Sequence, residues 1–241
     1  MRWILLGFVA GLALIPTANF AQNAQPAPSA ATAKRAPDDL GIFEGRNLMV
    51  QSKVTECKAF GSSDHLSEPQ CDTSYEFIQR LRFQHGRVFE ETLSFKQGGS
   101  RPVGSEQTAQ ADAGTIYLLG QEVDLVRRPD LAAYWRKISG QEIKMLVVAA
   151  HRDGQKLTLQ AHRVSQANVD TAGQTYLAEI DQLYVGEFEL NKNKCKFRPL
   201  KGNATFQMHV VKTGFGMGLL LPQEMKGTSV FRSTDTICSV L

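Results

Sequence analysis

Between residues 192 and 198 a cation stands at every second position: Lys192, Lys194, Lys196 and Arg198, with Lys201 just beyond. Side chains alternate between faces along a β-strand, so this spacing puts the charges on one face and turns Cys195 and Phe197 to the other. Like charges this close repel. The row therefore either meets an anionic partner or guards a sheet edge against pairing with another chain. Its chemistry suits an anionic polymer, a lipid head group or an acidic protein surface.

A second set is acidic. Glu179 and Asp181 share a strand face, as do Glu187 and Glu189. Carboxylates two apart on a strand have Cα atoms about 6.5–7 Å apart, within reach of the acid–base pairs of glycoside hydrolases. The wet side of any antiparallel strand shows the same alternation, and Tyr176, Ala178 and Ile180 supply the complementary dry side. The five histidines are scattered at 65, 85, 151, 162 and 209. His151 and His162 fall on one face of an expected hairpin, but the expected register separates them by roughly 20 Å, too far to share a metal. HExxH, GxSxG, phosphate-loop and GxGxxG signatures are absent.

The reading is a non-enzymatic binding domain without metal or cofactor, its contact surface the basic row at Lys192, Lys194, Lys196, Arg198 and Lys201. Two alternatives stand beside it. One is a small-molecule or lipid carrier whose cavity is lined by the His151/His162 face and by residues 213–222. The other is a hydrolase working through Glu179, Asp181, Glu187 or Glu189. Nucleic acid is not an expected partner, because the net charge is too small. Removing residues 1–21 takes only Arg2 from 27 basic residues and leaves 24 acidic ones, a net charge of +2.

The chain that must position these residues has 241 residues, 42 % hydrophobic and 21 % charged, the proportions of a globular protein. Arg2, an apolar run over Trp3–Ile15, Pro16 and small residues at Ala18 and Ala21 have the layout of a cleavable export signal, residues 1–21. The run is too short for a spanning helix, which needs about 20 residues. Residues 22–39, rich in Ala and Pro and without a large hydrophobe, read as a disordered tether. Residues 40–241 then form one β-rich domain, periplasmic or secreted, with no transmembrane segment after cleavage. An even cysteine count in an exported chain argues for two disulfides. We expect Cys57–Cys71 around a polar loop and Cys195–Cys238 holding the C-terminal strand.

The apolar period is mostly two. Two hairpins can be read with registers. In residues 73–95 a three-residue loop, Gln84–His85–Gly86, places Leu81 against Phe89 and Phe77 against Leu93, and pairs Arg80 with Glu90. In residues 144–163 an Asp153–Gly154 turn sets Leu146, Val148 and Ala150 against Ala161, Leu159 and Leu157. Further strands are expected at 48–57, 115–119, 122–127, 175–181, 183–190, 194–198, 205–212 and 229–232, with one short helix near 129–137 and a long polar loop at 97–114. About ten short strands predict an all-β, mainly antiparallel sandwich or barrel.

Overall fold

The computed structural model describes residues 39–62, 65–99, 107–109, 114–131, 141–171, 174–213 and 223–241. The expected export signal, nearly all of the tether, most of the expected helix (132–137) and the 214–222 segment lie outside the described residues. Eight long strands make the wall: β1 (Asn47–Ser62), β3 (Gln70–Gln84), β4 (Arg87–Gly99), β8 (Gln141–Asp153), β9 (Lys156–Thr171), β10 (Gln174–Asn191), β11 (Lys194–Thr213) and β12 (Glu224–Val240). Short pieces join them: β2 (His65–Leu66), β5 (Gln107–Ala109), β6 (Gly114–Leu118) and β7 (Glu122–Asp124). The long strands follow the order β4-β3-β1-β12-β11-β10-β9-β8, each antiparallel to its neighbour.

The two outer members of that order are brought together by residues 114–124. β6 pairs with β4, β7 pairs with β8, and Leu119 between them bridges Ala150 of β8. Gly120 N–H donates to the Ala150 carbonyl at 2.8 Å, and Leu119 N–H to Gly86 at 3.0 Å. The sheet is thereby a nearly closed antiparallel barrel with almost no helix, as the alternating pattern predicted. β5 on the edge of β4 shows that the expected loop at 97–114 is partly strand.

Inward positions near the barrel end that carries the tight turns form one apolar plug. Leu48, Val50, Leu81, Phe83, Val88, Val148, Leu157, Phe188 and Leu190 meet there. A 3-10 turn, Gly41–Phe43, lays Leu40 and Phe43 across this end, and both are fully buried. Arg152 fastens the turn by donating from Nε to the Asp39 carbonyl at 2.6 Å.

The registers differ from expectation at both hairpins. The first turn has two residues, with Gln84 opposite Arg87, so Leu81 faces Glu90 and Arg80 faces Glu91. His85 (φ 52°) and Gly86 (φ 71°) both adopt left-handed backbone, the requirement of a type I′ hairpin turn. Glu44 holds the turn by accepting the His85 N–H at 2.9 Å. A bulge beyond Ile78 leaves Leu93 without a partner and sets Phe77 against Phe95. In the second hairpin Asp153 pairs with Lys156, so the turn is Gly154–Gln155 and Leu146, Val148 and Ala150 oppose Arg163, Ala161 and Leu159. Gly154 (φ 57°) supplies the left-handed first position that a Gly-X turn needs. The slide is two residues, so the faces are kept while the partners change.

Strands expected as pairs of fragments are continuous. β11 runs through residues 199–204 because Pro199, which has no N–H, sits at a bulge where Leu200 is the extra residue between Lys201 and Pro199. The expected disulfides form: Cys57–Cys71 joins β1 to β3, and Cys195–Cys238 joins β11 to β12. The β11–β12 ladder runs from Asn203↔Val230 to His209↔Glu224. Cys195 and Cys238 lie eight residues farther on in the same register, with Cα atoms 5.3 Å apart. The sulfur bridge thus holds these strands beyond the end of their paired ladder. The double variant Cys195→Ala/Cys238→Ala is expected to lose about 3–4 kcal/mol by the loop-closure relation. Urea unfolding of that variant beside the wild type measures the loss.

Candidate functional site

Reading inward-facing residues from strand to strand gives rows around the wall. One row is Lys58, Ser229, Ala204, Gln182, Arg163 and Leu146, on β1, β12, β11, β10, β9 and β8. The next, toward the other end of the barrel, is Phe60, Gly227, Phe206, Ile180, Ser165 and Ile143. Beyond it come Met225, Met208, Ala178, Ala167 and Gln141. The first row is polar and the two above it mainly apolar. Gly227 belongs where it stands, because the Phe206 ring occupies the space a Cβ would need.

Members of these rows, together with Glu56, line a cavity that opens to solvent and whose enclosed part is about 40 Å³. An aromatic series crosses the interior near Glu56: Phe95, Tyr75, Phe231 and Tyr184, with successive ring centroids 5.7, 6.4 and 5.5 Å apart.

Charge in this interior is unevenly partnered. Glu56, 4 % exposed, is enclosed by donors: Ser229 Oγ donates to Oε1 at 2.5 Å and Tyr75 OH to Oε2 at 2.5 Å. Lys58 Nζ completes an ion pair at 3.0 Å to the same Oε2. Arg163 is different. Its guanidinium donates to Gln182 Oε1 and has no ion pair among the described residues. Burial pulls its pKa down, while the neighbouring Tyr184 pulls the other way. Burial pushes the Tyr184 phenol up to about 12 and carries that of Tyr75 higher still, the latter helped by its bond to Glu56. At the far end, Gln141 is 8 % exposed and its Oε1 has no hydrogen-bond donor. It lies two rows above Arg163, roughly 14 Å along the strands.

The residues singled out from sequence lie elsewhere, on the outer surface. Lys194, Lys196, Arg198 and Lys201 are exposed on β11, and Lys192 occupies the β10–β11 turn with φ 54°. Cys195 and Phe197 turn inward against the plug. The row is not purely cationic in three dimensions: Lys196 stands opposite Glu189 and Arg198 opposite Glu187. The four carboxylates face outward as well. Glu187 pairs with Lys156 at 3.3 Å, Asp181 with His162 at 2.7 Å, and Glu179 accepts from Gln166 at 3.0 Å. His151 pairs with Thr158 and His162 with Val147, so about 14 Å separates the two histidines along the strands. That face is the outside of the barrel, which corrects its expected place in a cavity wall. Among the described residues no group of three or more His, Cys, Asp or Glu could hold a metal.

Sequence reasoning missed Glu56, Lys58, Gln141, Arg163 and Gln182. A signal for them exists. Each falls in phase with the apolar residues of its strand, as Arg163 follows Leu157, Leu159 and Ala161 at steps of two. No protein-family model matches this chain, and no curated protein is similar to it.

A second, partly buried acid sits apart from the cavity lining. Glu90 accepts from Gln79 Nε2 at 2.7 Å and from Tyr117 OH at 2.6 Å. Burial raises its pKa, and the Tyr117 bond only partly opposes that. A carboxyl raised in the folded state binds more protons folded than unfolded. Stability therefore falls as pH climbs from the ordinary carboxyl pKa of about 4.3 through the folded value, then levels off. Glu90→Gln is expected to flatten this decline, so that its urea midpoint changes less than the wild type's between pH 4.5 and pH 8.

Proposed function

We propose that this protein is an exported, non-enzymatic carrier that takes a small molecule into its barrel. One observation carries the reading: a cavity whose polar row holds a partly buried guanidinium without an ion-pair partner among the described residues, beneath walls formed by Phe60, Ile180, Phe206 and Met208. Small-molecule sites have this make-up, with an apolar surface and a few polar groups that fix orientation. Two disulfides favour an oxidising compartment, periplasmic or extracellular. No helix among the described residues is long and apolar enough to cross a membrane.

Ala204, 4 % exposed and central in the polar row, offers a way to block the space. Ala204→Phe is expected to abolish binding of the neutral apolar dye N-phenyl-1-naphthylamine while the far-ultraviolet spectrum keeps its β signature. Equal dye binding by this variant and the wild type, or no dye binding by either, would remove the carrier reading.

A second reading keeps the basic face as a contact for an anionic envelope component or acidic partner. What favours it is that Lys194, Lys196 and Arg198 are all exposed on one outward face. Glu187 and Glu189 on the next strand weaken it by compensating part of the charge. The reading expects the triple variant Lys194→Glu/Lys196→Glu/Arg198→Glu to elute from a heparin column at clearly lower salt than the wild type, with an unchanged melting temperature. Unchanged elution discards it.

A further inference from the structure

We infer that the cavity selects a monoanionic amphiphile, an organic acid whose carboxylate sits on Arg163 and whose apolar body lies along Ile180, Phe206 and Phe60. This rests on the carrier reading and narrows it to a ligand class.

The argument begins with a charge balance. Among the described residues, Lys58, Arg163 and Glu56 are the charged ones lining the cavity, two cations and one anion. Lys58 is committed to Glu56 at 3.0 Å, and both oxygens of Glu56 already accept hydroxyl donors. That cluster is self-contained and has little to offer a guest. Arg163 stands across the row from it, separated by Ser229, Ala204 and Gln182.

A partly buried guanidinium whose one hydrogen bond among the described residues goes to a neutral amide is an expensive arrangement, since burying a charge is offset chiefly by an opposite charge with good geometry. A carboxylate supplies that charge. It also fits the planar fork of a guanidinium through two parallel hydrogen bonds. One negative charge brings the described lining to neutrality, whereas a dianionic phosphate would overshoot. The single charge is therefore part of the specificity.

The remaining lining fixes the rest of the ligand. Above Arg163 in the next rows come Ser165, Ile180, Phe206, Ala178 and Met208, a wall with one hydroxyl among apolar groups. From the Arg163 row to that of Gln141 is roughly 14 Å along the strands, the length of an unbranched acid of about ten carbons laid along this wall.

Decanoate and decanol test the inference, because they share a chain and differ in head-group charge. By titration calorimetry at pH 7.5 the wild type is expected to bind decanoate at least tenfold tighter than decanol. Arg163→Met should bind the two with similar affinity, and Arg163→Lys should keep part of the preference for decanoate. Without ligand, Arg163→Met should melt no lower than the wild type, since a partly buried charge with no ion pair among the described residues has been removed; a cation serving only to stabilise the fold would give a lower melting temperature. Equal binding of both probes by the wild type overturns the anion assignment and leaves the carrier reading standing. Binding of neither probe, together with a failure to bind the neutral dye, overturns both. The wild-type ratio requires no variant, so it decides the matter even if Arg163→Met does not fold.

Discussion

Between β4 and β8 the wall is completed by a few backbone contacts: β6 on one side, β7 on the other, and the Leu119–Ala150 bridge with its hydrogen bond from Gly120. This short join turns a sheet into a container. A strand alternates its side chains whatever surrounds it, but only closure makes one of its faces an interior. Once closed, the long sheet loses most of the open edge that would invite pairing with other chains. Every inward residue must then either fill space or find a polar partner inside.

The interior answers that demand differently at different heights. Near the tight turns the inward positions are apolar, and Leu40 and Phe43 seal them from below. Higher up, Glu56 finds two hydroxyls and an ammonium, which satisfies the acceptors of a carboxylate withdrawn from water. Glu90 meets a similar need with Gln79 and Tyr117, yet burial still wins over its hydrogen bonds and holds the carboxyl toward its neutral form. Arg163 is the exception in this series. It is the partly buried charge for which the described wall provides only an amide, and the cavity lies beside it.

Legibility in the sequence followed the range of the interaction. Disulfide partners were readable because four cysteines allow few sensible pairings, and Cys195 in phase with Phe197 pointed inward. Turn positions were less so. The fragment His85–Gly86 is compatible with a two- or three-residue loop, and matching Leu81 to Phe89 favoured the longer one. The shorter one wins because both residues accept left-handed backbone and Glu44, forty-one positions away, holds the His85 N–H. The poor facing of Leu81 and Glu90 is tolerated since Tyr117, from β6, satisfies the acid. No local pattern contains that information.

From the amino-acid order alone came the antiparallel β class, the sulfur bridges, and which residues share a face, since these depend on a two-residue alternation and on cysteine count. The same alternation could not say which face was inside, so conspicuous charges at Lys194–Arg198 drew attention while Arg163 and Lys58, in phase with apolar residues of their strands, passed unnoticed. Tertiary structure made that choice. Only the register of five neighbouring strands brings Lys58, Ser229, Ala204, Gln182 and Arg163 into one row, and such registers are set by bulges and turns acting between residues far apart in the chain.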